Sequence, residues 1–114
     1  VVLTWALVAV VTVVIAATVW SQPASAFPPT RPTRVLALGD SVMEGAAGAI
    51  PAALPGREVV VDTAVSRSTG ATATAAAGHG SDWDVVVILV GHNDGASPGV
   101  YQPPYRRMLD QFAG

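Results

Sequence analysis

Apolar residues follow two patterns along this chain. From Val1 to Trp20 they run almost without interruption, and no charged residue breaks the run. A helix of about 20 residues is roughly 30 Å long, which matches the hydrocarbon thickness of a bilayer. Residues 1–20 are therefore expected to form a transmembrane helix or the core of a signal peptide. A buried core helix is the weaker alternative, because a small domain rarely wraps a helix on every side. After residue 33 the apolar residues come in short runs punctuated by polar and glycine-rich turns. Strands are expected at 34–38, 58–62 and 84–90, with helices at 42–54, 69–77 and 103–112. The Val-Val-Val-Ile-Leu-Val run at 85–90 suits a strand buried on both faces. Pro51 is expected to end the first helix early, and Pro55-Gly56 to close it. Strands alternating with helices predict an α/β domain on a parallel sheet with right-handed crossovers.

Between the two patterns, residues 21–33 hold Pro23, Pro28, Pro29 and Pro32 among Ser, Gln and Thr. Proline supplies no N–H to a helix or sheet, so this stretch reads as an extended linker. The chain thus divides into a helix at 1–20, a linker at 21–33 and a globular part at 34–114. Ala24-Ser25-Ala26 fits the small-x-small pattern of signal cleavage. No basic flank precedes the apolar run, and the chain opens on Val. Both features point to a missing N-terminus or an unusual start. Arg31 and Arg34, taken alone, favour a cytoplasmic side for the globular part, but the bias has no upstream flank to be compared with and so fixes no orientation.

The net charge of −2 gives no reason to expect nucleic acid or anionic lipid as partner. With no cysteine, disulfides and thiolate metal sites are excluded. A P-loop is absent, the spacing of Gly39, Gly45 and Gly48 does not make a dinucleotide fingerprint, and no His-Glu-x-x-His occurs. Neither a metal nor another cofactor is therefore expected.

Chemistry-bearing residues stand where the expected strands end: Gly39, Asp40 and Ser41 after the first, Asp62 then Ser66, Arg67 and Ser68 after the second, Gly91, His92, Asn93 and Asp94 after the third. In a parallel sheet these ends share one edge, where α/β folds bind ligands. Ser41 lies at a strand-to-helix turn, exposed and close to backbone N–H groups that can support an anion. An acyl-transferring serine needs both. Asp40 is expected to steady the turn, and Asp94 to brace its own loop through backbone hydrogen bonds. His79 reads as a solvated loop residue on the opposite edge. His92 reads as a loop residue near the site, with substrate binding or general-base work as the sharper alternatives. Trp83-Asp84 reads as a packing anchor, and Arg106 and Arg107 as the solvated face of the last helix.

Gly39-Asp40-Ser41 with Gly45, and Gly91-x-Asn93-Asp94 after a buried strand, resemble the first and third sequence blocks of the SGNH (GDSL-type) hydrolases. With Val61-Asp62-Thr63-Ala64-Val65-Ser66-Arg67, the likeness is closest to SGNH domains fused to membrane O-acyltransferases that acetylate cell-envelope glycans. It covers about residues 34–95. The resemblance implies a flavodoxin-like three-layer fold and serine-based acyl transfer at an ester. Ser41 takes the place of the nucleophile. Its N–H and the Asn93 amide take the places of oxyanion-hole donors. The family's second block supplies a glycine N–H, and here that place falls on Ser66 or Arg67. The family's Asp-x-x-His block, which carries the general base, does not occur in this sequence.

The expectation is therefore the front portion of an esterase or O-acyltransferase domain, or a degenerate relative of one. It would act on a small ester or an acylated glycan, without cofactor. It would be membrane-anchored through residues 1–20 or secreted, with the globular part outside the cytoplasm. The competing reading is a catalytically dead, membrane-anchored module that binds carbohydrate or a protein partner.

Overall fold

A computed structural model describes residues 30–114; the expected membrane helix at 1–20 and most of the linker at 21–33 lie outside the described residues. Three strands form one sheet: β1 (Arg34–Gly39), β2 (Glu58–Thr63) and β3 (Val85–Leu89). Their order is β2-β1-β3, and both pairings are parallel. The register sets Leu38 beside Asp62 and Ile88, so the polar residues that follow each strand emerge along one edge. Four helices complete the described chain: α1 (Ser41–Glu44), α2 (Ala49–Ala53), α3 (Thr69–Gly78) and α4 (Pro98–Phe112). Among the described residues no helix is long and apolar enough to cross a membrane.

The twofold alternation of a strand assigns the two faces of the sheet. Leu36 and Leu38, both fully buried, point toward α3 and α4, where they join Ala73, Ala76 and Met108. Buried positions on α3 fall at Thr69, Thr72, Ala73 and Ala76, the spacing of one helical face. Their small size lets the helix lie close to its neighbours. Gln111 of α4 donates to the Ala76 and Gly80 carbonyls at 2.7 and 2.8 Å, which satisfies acceptors at the C-terminal end of α3. Gly39 faces the other way, toward α1. A Cβ there would lie 2.5 Å from Met43 Cβ, so only glycine admits this approach.

Four expectations are corrected. The helix expected over 42–54 is two short ones, interrupted at Gly45–Gly48 where two glycines lower helix propensity. Pro51 sits inside α2 without ending it, because it falls in the first turn, where an N–H has no intrahelical acceptor. The last helix begins at Pro98 and runs on through Pro103 and Pro104. Proline suits the first helical turn at Pro98, and buried Pro104 packs on the same face as Met108. Finally, β3 is not buried on both faces: Val85, Val87 and Leu89 are 45%, 46% and 37% exposed. As an edge strand, β3 has α4 on one side only, and its other face stands open among the described residues.

Charged groups gather at the edge where the strands begin. Arg31 pairs with Asp84 at 2.7 Å, and Arg34 with Asp82 and Glu58 at 2.9 and 3.2 Å. The Arg34 guanidinium also lies 4.4 Å from the centroid of Trp83. Hydrogen bonds from the Arg31 side chain and the Arg34 N–H hold the Asp84 carboxyl below its ordinary range.

Candidate functional site

The opposite edge carries the residues singled out in the sequence. Gly39 ends β1, Asp40 comes next and is fully buried, and Ser41 opens α1 on the surface. Asp40 caps this helix: its Oδ1 accepts the Val42 N–H at 3.0 Å, while its own N–H donates to Leu89 O at 3.2 Å. The turn below Ser41 is thereby tied to both α1 and β3. The Ser41 N–H belongs to the first helical turn, where backbone donors have no intrahelical acceptor.

The loop after β2 lies beside it, joined by Ala64 N–H to Gly39 O at 3.3 Å. Ser66 has φ of +59°, the left-handed region that favours glycine and that other residues adopt at an energetic penalty. The Arg67 N–H is engaged with Ala64 O at 3.4 Å, and the Arg67 carbonyl accepts the Asn93 side-chain amide at 3.0 Å. Of the two candidates for the second-block donor, Ser66 is therefore the one with the backbone geometry of a glycine. An amide NH2 carries two hydrogens, so Asn93 keeps one donor after bonding Arg67.

The loop after β3 supplies the third side. Gly91 has φ of +119°, a conformation open to glycine, and redirects the chain there. His92, 60% exposed at its side chain, places Nδ1 3.3 Å from Asp40 Oδ2. Asp94 does more than brace its own loop. Its oxygens accept the Thr69 N–H at 3.0 and 3.1 Å and the Thr69 hydroxyl at 2.5 Å, so it tethers the β3 loop to the first turn of α3. Ser68 caps the same helix through its bond from Ala71 N–H at 3.1 Å. A cavity of about 230 Å³ opens nearby between β3 and α4, lined in part by Gly91, Tyr101 and Tyr105. Neither Ser41 nor Asn93 lines it. Among the described residues no cluster of three or more His, Cys, Asp or Glu is placed to hold a metal ion.

No family model matches this chain, and neither a curated protein nor a solved structure matches it. The site rests on its own geometry.

Two sequence readings change. Asp62 lies within β2 rather than after it, on the face that Leu38 shares, and its carboxylate binds Arg67 of the following loop at 2.8 Å and His79 at the end of α3 at 2.6 Å. His79 is accordingly not a solvated loop residue: its ring is three-quarters buried between Asp62 and Trp83, and its carbonyl accepts the Trp83 indole at 3.1 Å. No local pattern signals this contact, because the partners are 17 residues apart. Burial alone would raise the Asp62 pKa, but hydrogen bonds from His79 and Arg67 outweigh it and hold the carboxyl below the ordinary 3.8. A lowered native pKa means that the stabilisation is complete above the unfolded value and is lost as pH falls through the native one. The stability difference between the wild type and Asp62→Asn, followed by thermal melts, is therefore expected to shrink as pH falls from about 5 into stronger acid. A difference independent of pH would show that the carboxylate charge contributes nothing.

Proposed function

We propose that residues 34–114 carry the nucleophile and oxyanion-binding portion of an SGNH-type serine esterase or O-acyltransferase site, on a sheet of flavodoxin-like, three-layer type. The observation that supports it is the meeting of three loops at one sheet edge. Ser41 sits exposed on a turn fixed by buried Asp40, Ser66 adopts a glycine-like backbone, and Asn93 reaches across to the Arg67 carbonyl.

In this reading Ser41 Oγ attacks the acyl carbonyl carbon. The carbonyl oxygen gains negative charge and meets donors from the Ser41 N–H, the Asn93 amide and the Ser66 N–H. Such pre-placed donors contribute about 3–4 kcal/mol each when their removal is measured. Collapse of the tetrahedral intermediate expels the alcohol and leaves an acyl-serine. Water or a sugar hydroxyl then takes the acyl group. The surface position of Ser41 suits an acyl group, such as acetyl, carried on a larger glycan. An apolar segment at 1–20 would hold the site at a membrane or lead it to the outside.

A serine-reactive fluorophosphonate tests the assignment. The full chain is expected to form a covalent phosphonyl adduct at Ser41, located by peptide mass spectrometry and lost in Ser41→Ala. A folded wild-type protein that stays unlabelled would overturn it.

A further inference from the structure

The sequence contains two histidines. His79 is held by Asp62 beneath α3, whereas His92 leans on Asp40, the residue immediately before Ser41. Asp40 is fully buried, and its two oxygens are divided: Oδ1 takes the Val42 N–H, and Oδ2 faces His92 Nδ1. A buried carboxylate at Nδ1 favours the tautomer with hydrogen on that nitrogen, which leaves Nε2 as the acceptor. His92 and Ser41 are both exposed, and both adjoin Asp40, His92 by contact and Ser41 as the next residue in the chain. A base oriented by a third group beside an exposed hydroxyl is the general arrangement of an activated nucleophile, and the nucleophile–base distance is often long before substrate arrives.

We infer that His92 serves Ser41 as general base, oriented by the buried Asp40 carboxylate, so that proton transfer is supplied from within the Gly91–Asp94 loop. The inference rests on the acyl-transfer reading of Ser41. As the Ser41 Oγ–carbon bond forms, the Oγ proton passes to His92 Nε2 and the carbonyl π electrons move to oxygen. When the intermediate collapses, the carbon–oxygen bond of the ester breaks and the same proton goes to the departing alkoxide. Asp40 stays ionised and balances the transient imidazolium. With a fluorophosphonate, the Oγ–phosphorus bond forms as fluoride leaves, and the proton again goes to Nε2.

The charged groups around this pair are few. Asp40 contacts it directly. Asp94 is engaged with Thr69, Glu44 of α1 with the Thr63 hydroxyl, and the Arg67 guanidinium with Asp62. None of these three has a hydrogen bond to His92 among the described residues.

The test is the rate of Ser41 phosphonylation by the fluorophosphonate between about pH 5 and 9. The wild-type rate is expected to rise in one step as His92 loses its proton. His92→Gln should lower the rate about 100-fold and flatten the profile. Free imidazole should restore much of the rate to His92→Gly. His92 is exposed, so both variants are expected to melt within a few degrees of the wild type. Labelling of His92→Gln at the wild-type rate, or a slower rate that keeps the wild-type pH step, overturns the base assignment while leaving Ser41 as nucleophile. Absence of labelling in the wild type at every pH overturns the nucleophile itself, and the base with it.

Discussion

Gly39→Ala is expected to lower the stability of this domain by about 1–3 kcal/mol, the usual result of forcing extra volume into a packed site. For a domain of this size that corresponds to a fall in Tm on the order of 10 °C. The reason is contact rather than backbone conformation. The new Cβ would stand 2.5 Å from Met43 Cβ, 2.9 Å from its sulfur and 3.1 Å from Cγ. A sulfur at the end of a flexible side chain can swing away, but a Cβ moves only with its backbone. α1 must therefore lift off β1, and α1 begins with Ser41. The same variant should phosphonylate more slowly, because small displacements of a reacting group are heavily penalised. Adding Met43→Ala gives a sharp control. It removes the sulfur but keeps the Cβ, so it should not rescue either property. Unchanged melting of Gly39→Ala would mean that α1 stands farther from the sheet than the structure places it.

Asp94→Ala is expected to reduce stability by about 2–4 kcal/mol and to slow phosphonylation of Ser41 about tenfold or more. Its carboxylate receives both the N–H and the hydroxyl of Thr69, and Thr69 is fully buried. Removing the acceptor strands two donors where water does not replace it, and removes an anion from the first turn of α3. The loop is then held at one point fewer. Asn93, which bridges to Arg67 from that loop, loses its fixed position. Asp94→Asn keeps one oxygen and should recover part of the stability and part of the labelling rate. Thr69→Val is the partner experiment: it deletes the hydroxyl but not the N–H, so its effect should be the smaller of the two. If Asp94→Ala labelled as fast as the wild type, Asn93 would be positioned by something other than this tether.

The α/β architecture is legible in the chain itself, because strand and helix periods and turn residues are properties of neighbours in the chain. Alternating runs and their punctuation locate β1, β2, α3 and β3 to within a residue or two. The same local reading fails where context overrides propensity. Pro51 and Pro103-Pro104 punctuate the sequence but lie within helices, and the valine run of β3 looks fully buried although one of its faces is open.

Local pattern dictates the order of the elements. It also dictates the gathering of Ser41, Ser66, Arg67, His92, Asn93 and Asp94 after strand ends, since a parallel sheet sends those ends to one edge. Which polar groups meet is a matter for the folded chain alone. Folding puts His92 on Asp40 across 52 residues, Asp94 on Thr69 across 25 and His79 on Asp62 across 17. It also gives Ser66 its left-handed backbone. The difference is one of range. Periodicity and turn preference act over a few neighbouring residues, whereas a hydrogen bond between distant side chains exists only once the β2-β1-β3 order and the crossing of α3 have fixed where each loop lies.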